Sequence, residues 1–329
     1  MSSKLDLAAG ARPGLLAELA PAQPGALLFR PRASWDRAAS QQDVQHHHGA
    51  ARRQVELYSV PGWPPPTEQK DFGTSMPQDR ILLHAGSDFN VEDVLSHPAP
   101  AEWSPLYTVA SQRFVFPLGN TAMELRCHDE TWLIDDLTAM DLASATDYRL
   151  RPCVRGARRS LVVSTQAPSR DVPQPTCWLL HPRALYRLHG ASRHLQAGRV
   201  GAVATAALMA EVSRGQVQIR PQGAVARARR LLTTDPHGCL GASLLDIADA
   251  VSSSPFHLAR SFRRQTGLSL HQYRQYLRLA AALGRLADGD QDLAGLAHDL
   301  GFCSQSHLGA VFRREAGVTL GQARQVLAP

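Results

Sequence analysis

Residues 257–274 read HLARSFRRQTGLSLHQYR and residues 307–324 read HLGAVFRREAGVTLGQAR, two stretches that match at a constant offset of fifty. Nine of the eighteen aligned positions are identical: His257/His307, Leu258/Leu308, Phe262/Phe312, Arg263/Arg313, Arg264/Arg314, Gly267/Gly317, Leu270/Leu320, Gln272/Gln322 and Arg274/Arg324. Upstream the match continues at an offset of forty-nine, pairing Ile247 with Leu296, Ala248 with Ala297 and Val251 with Leu300. The chain therefore uses one supersecondary unit twice, with one residue added in a turn of the second copy.

Each copy reads as two helices. The first runs from about Leu244 to Val251, or from Leu293 to Leu300, with apolar positions recurring at three and four. Ser254 is a good N-cap and Pro255 stands where a missing N–H does no harm, so a second helix starts there; Ser304 caps its counterpart. Leu258 and Phe262, like Leu308 and Phe312, fall at i and i+4, which makes one buried seam that docks the second helix on the first. Gly267 and Gly317 end these helices. Between the copies, Tyr273, Leu277, Ala280, Leu283 and Leu286 keep helical spacing over Leu270 to Leu286, closed by Gly289. That spacing predicts one continuous helix of about 17 residues and roughly 25 Å, long enough to hold two heads about one DNA turn apart.

A tightly turned helix pair with a polar start and an Arg-Arg end on its second helix suits major-groove reading. Side chains at the helix start reach base edges, while Arg263, Arg264, Arg313 and Arg314 neutralise phosphates and release counterions. Charge distribution agrees. Residues 254 to 278 hold Arg260, Arg263, Arg264, Arg274 and Arg278 and no acid, in a chain of net charge +6 and pI near 9.4. Lys4 and Lys70 are the only lysines, so arginine carries the basic charge.

At 329 residues, 44% hydrophobic and 19% charged, the chain has room for two cored domains and the composition of a soluble protein. No run of about 18 apolar residues could span a bilayer, and no apolar segment follows a basic start as in a secretory signal, so a cytoplasmic location without membrane contact is expected. Cys127, Cys153, Cys177, Cys239 and Cys303 are scattered and contain no C-x-x-C pair, which predicts reduced, mostly buried thiols.

Four regions follow. Residues 1–79, rich in Ala, Pro, Gln and Ser, read as a loosely ordered arm; His46, His47 and His48 lie in it, but consecutive side chains rarely converge on one ion. Residues 80–190 break into short strand-like runs: Gln112 to Leu118, Ala122 to Cys127, Thr131 to Ile134, Asp147 to Leu150 and Leu161 to Thr165. Such spacing suggests an antiparallel sandwich or barrel acting as an effector-sensing domain. Residues 191–220 read as a helix, with Val200, Val203, Ala207, Leu208 and Met209 in helical spacing. It either connects or dimerises the chain, or packs on its own β-domain. Residues 221–329 form the DNA-binding domain.

Residues 244–274 (LLDIADAVSSSPFHLARSFRRQTGLSLHQYR) and 293–320 (LAGLAHDLGFCSQSHLGAVFRREAGVTL) resemble the paired helix-turn-helix signature of the AraC/XylS family of bacterial transcription regulators. The resemblance covers about 224 to 326. It implies a seven-helix α domain, binding to double-stranded operator DNA and activation through contact with RNA polymerase. By motif position, Ser254, Phe256, His257, Ala259 and Arg260 are the base-reading candidates of the first unit, with Arg260 best equipped to pair with guanine. Phe256 and the two histidines suit packing as well as reading. Gln305, Ser306 and His307 start the second reading helix, whose phosphate contacts would include Ser304; Arg274 joins the first unit's phosphate set.

Two departures stand out. Ala310 replaces the basic residue corresponding to Arg260, and Gly321-Gln322-Ala323-Arg324 replaces the usual proline-and-tyrosine ending, which predicts a weaker second reader and a less well anchored last helix. More weakly, Gln112 to Thr165 looks like the cupin-type (jelly-roll) sensing domain of many members, with an unidentified small-molecule effector. His84, His97, His128 and His181 lack the spacing of a metal cupin, so no metal, cofactor or catalytic residue is expected. The fold class expected is thus α+β multidomain: a β-rich sensing domain, a linker helix, and an all-α domain with two helix-turn-helix units joined by a long helix. The rival reading is a small-molecule-binding or alkyl-transfer enzyme that uses the helices only for DNA localisation. Cys239 and Cys303 would be its nucleophiles, although neither has an activating His beside it in sequence.

Overall fold

A computed structural model describes residues 78–97, 102–119, 122–153, 156–165, 174–199, 202–213, 217–234 and 242–328. Apart from Gln78 and Asp79, the expected arm lies outside these residues, with His46, His47 and His48; so does Cys239.

Ten strands are found among the described residues: β1 (Gln78–Ala85), β2 (Phe89–Ser96), β3 (Tyr107–Thr108), β4 (Arg113–Pro117), β5 (Met123–Cys127), β6 (Glu130–Ile134), β7 (Thr138–Leu142), β8 (Asp147–Pro152), β9 (Arg158–Thr165) and β10 (Thr176–Leu179). They form a six-stranded sheet in the order β1-β2-β9-β4-β7-β10 and a four-stranded sheet in the order β3-β8-β5-β6. Every pairing is antiparallel. All five strand-like runs read from the sequence are strands; four of them carry β-branched or aromatic residues that suit a pleated, half-buried surface, and β5 instead buries Met123, Leu125 and Cys127. Leu125, Ile134, Phe116 and Leu161 are fully buried in that core.

The helix expected over 191–220 is two helices, and the first starts earlier. α1 (Pro182–Gln196) opens on Pro182 with His181 as N-cap, and Gly198, at φ 63°, stands in the left-handed conformation just past its end. α2 (Ala202–Ser213) packs on the sandwich, where Trp178 Nε1 donates to the Val212 carbonyl at 3.1 Å. α2 thus packs on its own β-domain, whereas α1 lies against the helices Leu270–Ala287, Gln305–Ala316 and Leu320–Leu327 and so connects that domain to the helices that follow.

Seven helices follow among the described residues: α3 (Gly223–Thr234), α4 (Leu244–Ala250), α5 (Pro255–Thr266), α6 (Leu270–Ala287), α7 (Leu293–Asp299), α8 (Gln305–Ala316) and α9 (Leu320–Leu327). Capping is thorough. Ser243 with Asp246, Ser269 with Gln272 and Thr319 with Gln322 each close a capping box, while Asp292 caps α7. Leu258, Phe262, Leu308 and Phe312 are all fully buried, so both predicted seams exist. Gly267 and Gly317 terminate α5 and α8 in the left-handed conformation, as a C′ glycine does.

The last helix is better anchored than its sequence suggested. Its capping box fixes the start, Leu320, Ala323 and Leu327 are buried, and α1 lies against it. From α1, Arg193 donates Nε to the Leu327 carbonyl at 2.8 Å and Nη2 to the Ala287 carbonyl at 3.0 Å. Those two carbonyls end α9 and α6, where a cation also complements the helix dipole.

Candidate nucleic-acid interface

Both units build the same turn before the reading helix. Ser252 in the first and Gly301 in the second occupy the left-handed region, at φ 51° and 72°. Ser252 N donates to Asp249 O at 3.0 Å and Ser253 N to Ala248 O at 2.9 Å; Gly301 N to His298 O and Phe302 N to Ala297 O repeat the pattern at 2.9 Å each. The two turns then diverge. Ser253 leads straight to the cap Ser254, whereas buried Phe302 is followed by Cys303 before Ser304. This is where the added residue of the second copy lies, and it leaves the turn hydrogen bonds before it and the serine cap after it in place, with the cap backbone more extended at Ser304 than at Ser254.

At the helix starts, Ser254 Oγ accepts from the His257 amide at 3.3 Å and Ser304 Oγ from the His307 amide at 3.1 Å. Both candidate serines thus cap their helices and remain exposed. Phe256 is 90% exposed, so its packing reading fails and its ring stands in solvent one residue into α5. His257 and Arg260 are exposed on the same helix, and Ala259 is half-buried. On α8, Gln305, Ser306, His307 and Ala310 are exposed. Leu258 and Phe262, or Leu308 and Phe312, face the opposite way into the core, so one face of each helix is free for a partner.

The phosphate candidates separate into two groups. Arg263, Arg264 and Arg313 are exposed. Arg274 is half-buried and gives Nη1 to the Ala242 carbonyl at 2.7 Å, and exposed Arg314 is drawn to its own domain by Glu315 at 2.7 Å and Gln275 at 3.2 Å. Arg278 is likewise half-buried, with burial lowering its pKa. The acid-free stretch therefore offers three exposed arginines, Arg260, Arg263 and Arg264, rather than five.

The sulfur chemistry also needs correcting. Cys127 and Cys177 are buried, and burial pushes the Cys177 thiol up to about 12. Cys303, however, is exposed, and its Sγ lies 3.0 Å from His307 Nδ1. The extra residue of the second turn brings the two together across one helical start, a contact that sequence spacing did not suggest.

Behind α5 lies a polar cluster that sequence reasoning missed. Arg229 of α3 is buried beside Asp135, which follows β6, and Tyr273 of α6. Its signal was present: Val225, Ala228, Arg229 and Leu232 share the buried face of α3, a charge in an apolar stripe. On the same helix Arg227 Nη2 donates to the Val251 carbonyl at 2.8 Å, so α3 also braces the end of α4.

These features define a helix-turn-helix DNA-binding domain, and residues 247–325 match the family model described as a helix-turn-helix domain. The domain is of the AraC/XylS type, the type whose doubled signature the repeat resembles. No curated protein matches the chain. Among solved structures it is similar to ToxT from Vibrio cholerae strain SCE256 bound to an unsaturated fatty acid (10% identity, 74% of this chain and 97% of that one, TM-score 0.32). It is also similar to the C-terminal domain of AraT, a response regulator from Geobacillus stearothermophilus (22% identity, 33% and 88%, TM-score 0.30), and to a cupin domain from Bordetella pertussis Tohama I (8% identity, 29% and 99%, TM-score 0.25). TM-scores this low leave the architecture to be argued from the strands and helices themselves. No helix among the described residues is long and apolar enough to cross a membrane.

Proposed function

We propose that the protein is a cytoplasmic transcription regulator that reads operator DNA with α5 in one major groove and α8 in the next, activates transcription through RNA polymerase, and is controlled by its β-sandwich as a sensing domain. The carrying observation is the doubled reading helix: two capped, solvent-facing helix starts on a shared joining helix, each with its apolar face buried. At 18 residues α6 is about 27 Å long, close to the rise of one DNA turn. Contact of the sandwich with α3 supports its controlling role.

Within this reading Arg260 pairs with a base and Arg313 with phosphate. Arg260→Ala is expected to cost about 1–3 kcal/mol on a duplex selected by the wild-type protein and to relax preference at one base position. Arg313→Ala should weaken selected and random duplexes alike and reduce the salt slope by about one. Fluorescence anisotropy titrations at several salt concentrations measure both. Equal losses on the two duplexes for Arg260→Ala would remove its base-reading role.

A further inference from the structure

Asp135 belongs to the sandwich, in the short connection between β6 and β7, and is fully buried. Its own loop fixes it: Oδ1 accepts from the Leu137 amide at 2.9 Å and from the Thr138 hydroxyl at 2.7 Å. The other oxygen faces the helical domain. Oδ2 accepts from Arg229 Nη2 at 2.7 Å and from the Tyr273 hydroxyl. Arg229 Nη2 also donates to Thr138 Oγ1 at 2.7 Å, and its Nε to the Tyr273 oxygen at 3.3 Å. Burial works against the Arg229 charge, but Tyr273 and Asp135 outweigh it and raise its pKa. Next to it on α3, Arg230 meets buried Glu124 of β5, which Arg151 of β8 also holds. Two consecutive arginines of α3 thus engage two buried carboxylates of the sandwich.

The path from Asp135 to the first reading helix is short. Tyr273 is fully buried, and its ring packs edge-on against Phe262 of α5 with centroids 5.3 Å apart. Phe262 is the seam residue that seats α5. The second unit has no counterpart: at the offset of fifty, Tyr273 corresponds to Ala323, which has no hydroxyl to offer. That unit is tied instead to α1, through Arg193 on the α9 end and His181 at 3.5 Å from Glu315. The repeat has diverged at the position that meets the sandwich carboxylate.

We propose that Asp135 is a positioning residue for the first reading helix: by holding Tyr273 and Arg229 it keeps α6 and α5 in their reading pose, so the sandwich sets the DNA affinity of the first unit alone. The inference rests on α5 and α8 binding DNA as proposed above. A sensing domain that shifts the β6–β7 connection would then tune one half of the binding site while leaving the other engaged.

The test uses the full chain and a duplex selected by the wild-type protein from a random pool. Asp135→Asn keeps the side-chain shape and removes the charge facing Arg229. Affinity for the selected duplex should fall about tenfold, the scale of a typical coupling between sites. Hydroxyl-radical protection should weaken over the half whose base preference Arg260→Ala relaxes and persist over the other half. Amide exchange should quicken in α5 and α6 and stay unchanged in α8 and α9. Should Asp135→Asn fail to fold, Tyr273→Phe, which removes one hydroxyl and leaves the charge pair, must show the same split between halves. Wild-type affinity and footprint in either folded variant, or equal loss over both halves, would overturn the proposal. A wild-type protein that selects and binds no duplex would overturn the DNA-reading function beneath it.

Discussion

Ser252 and Gly301 hold the same place in the two turns, yet only glycine is at ease there. A side chain in the left-handed region costs roughly 1–2 kcal/mol, partly offset by the larger entropy that glycine loses on folding, about 0.5–1 kcal/mol. With φ at 51°, the exposed Ser252 carries that strain. Ser252→Gly should therefore stabilise the protein by about 0.5–1 kcal/mol, seen as a raised urea midpoint without change in slope. A lowered midpoint would mean that the serine is there for folding rather than despite it. Individual residues were legible in the sequence where chemistry is local: Ser254, Pro255 and Gly267 do what their types dictate. Phe256 was not, because a phenylalanine at a helix start suits packing as well as reading, and only the position of the neighbouring elements leaves it 90% exposed.

At the scale of elements, α4 to α9 follow from caps, seams and glycines that lie within a few residues of one another. The strands β4, β5, β6, β8 and β9 were legible for the same reason. β1 and β10 were not: β1 is an edge strand exposed over much of its length, and β10 is short, so neither shows a clean alternation. Nor did the sequence show that α1 begins at Pro182, since its buried face carries Ser192, His189 and Gly190 as well as leucines. His189 makes this element testable. It is 5% exposed, and burial, with Arg159 and Arg193 adding repulsion and Asp93 opposing it, lowers its pKa from 6.5 to about 4. In the unfolded chain the ring takes a proton near pH 6.5, in the folded one only near 4, so across this window the unfolded state binds more protons. Stability from this group is complete above about pH 6.5 and is lost as pH falls toward 4, by on the order of 3 kcal/mol. Denaturant midpoints from pH 7 to 4 should fall less steeply in His189→Gln than in the wild-type protein. Parallel slopes would place the acid sensitivity elsewhere.

In the whole molecule, the sandwich contributes carboxylates to a cluster that the helical domain cannot complete by itself. Residues 221–329 on their own would release Arg229 and Tyr273 to water, where both are readily solvated, so no uncompensated buried charge remains to unfold the fragment. They would also lose α1, which covers parts of α6, α8 and α9. The helices that carry the seams of Leu258, Phe262, Leu308 and Phe312 keep their contacts with α3, α4, α6, α7 and α9 in the fragment. The fragment should accordingly be helical by circular dichroism, melt at a lower temperature than the full chain, and still bind duplex DNA. Its affinity for the selected duplex should be reduced about tenfold, the same order as in Asp135→Asn, since both changes take one support from Tyr273. Gel-shift titration of the fragment beside the full chain measures this. A folded fragment with full-chain affinity would show that the sandwich does not position the first unit, while a folded fragment that binds no duplex would rule out two reading heads carried by α5 and α8.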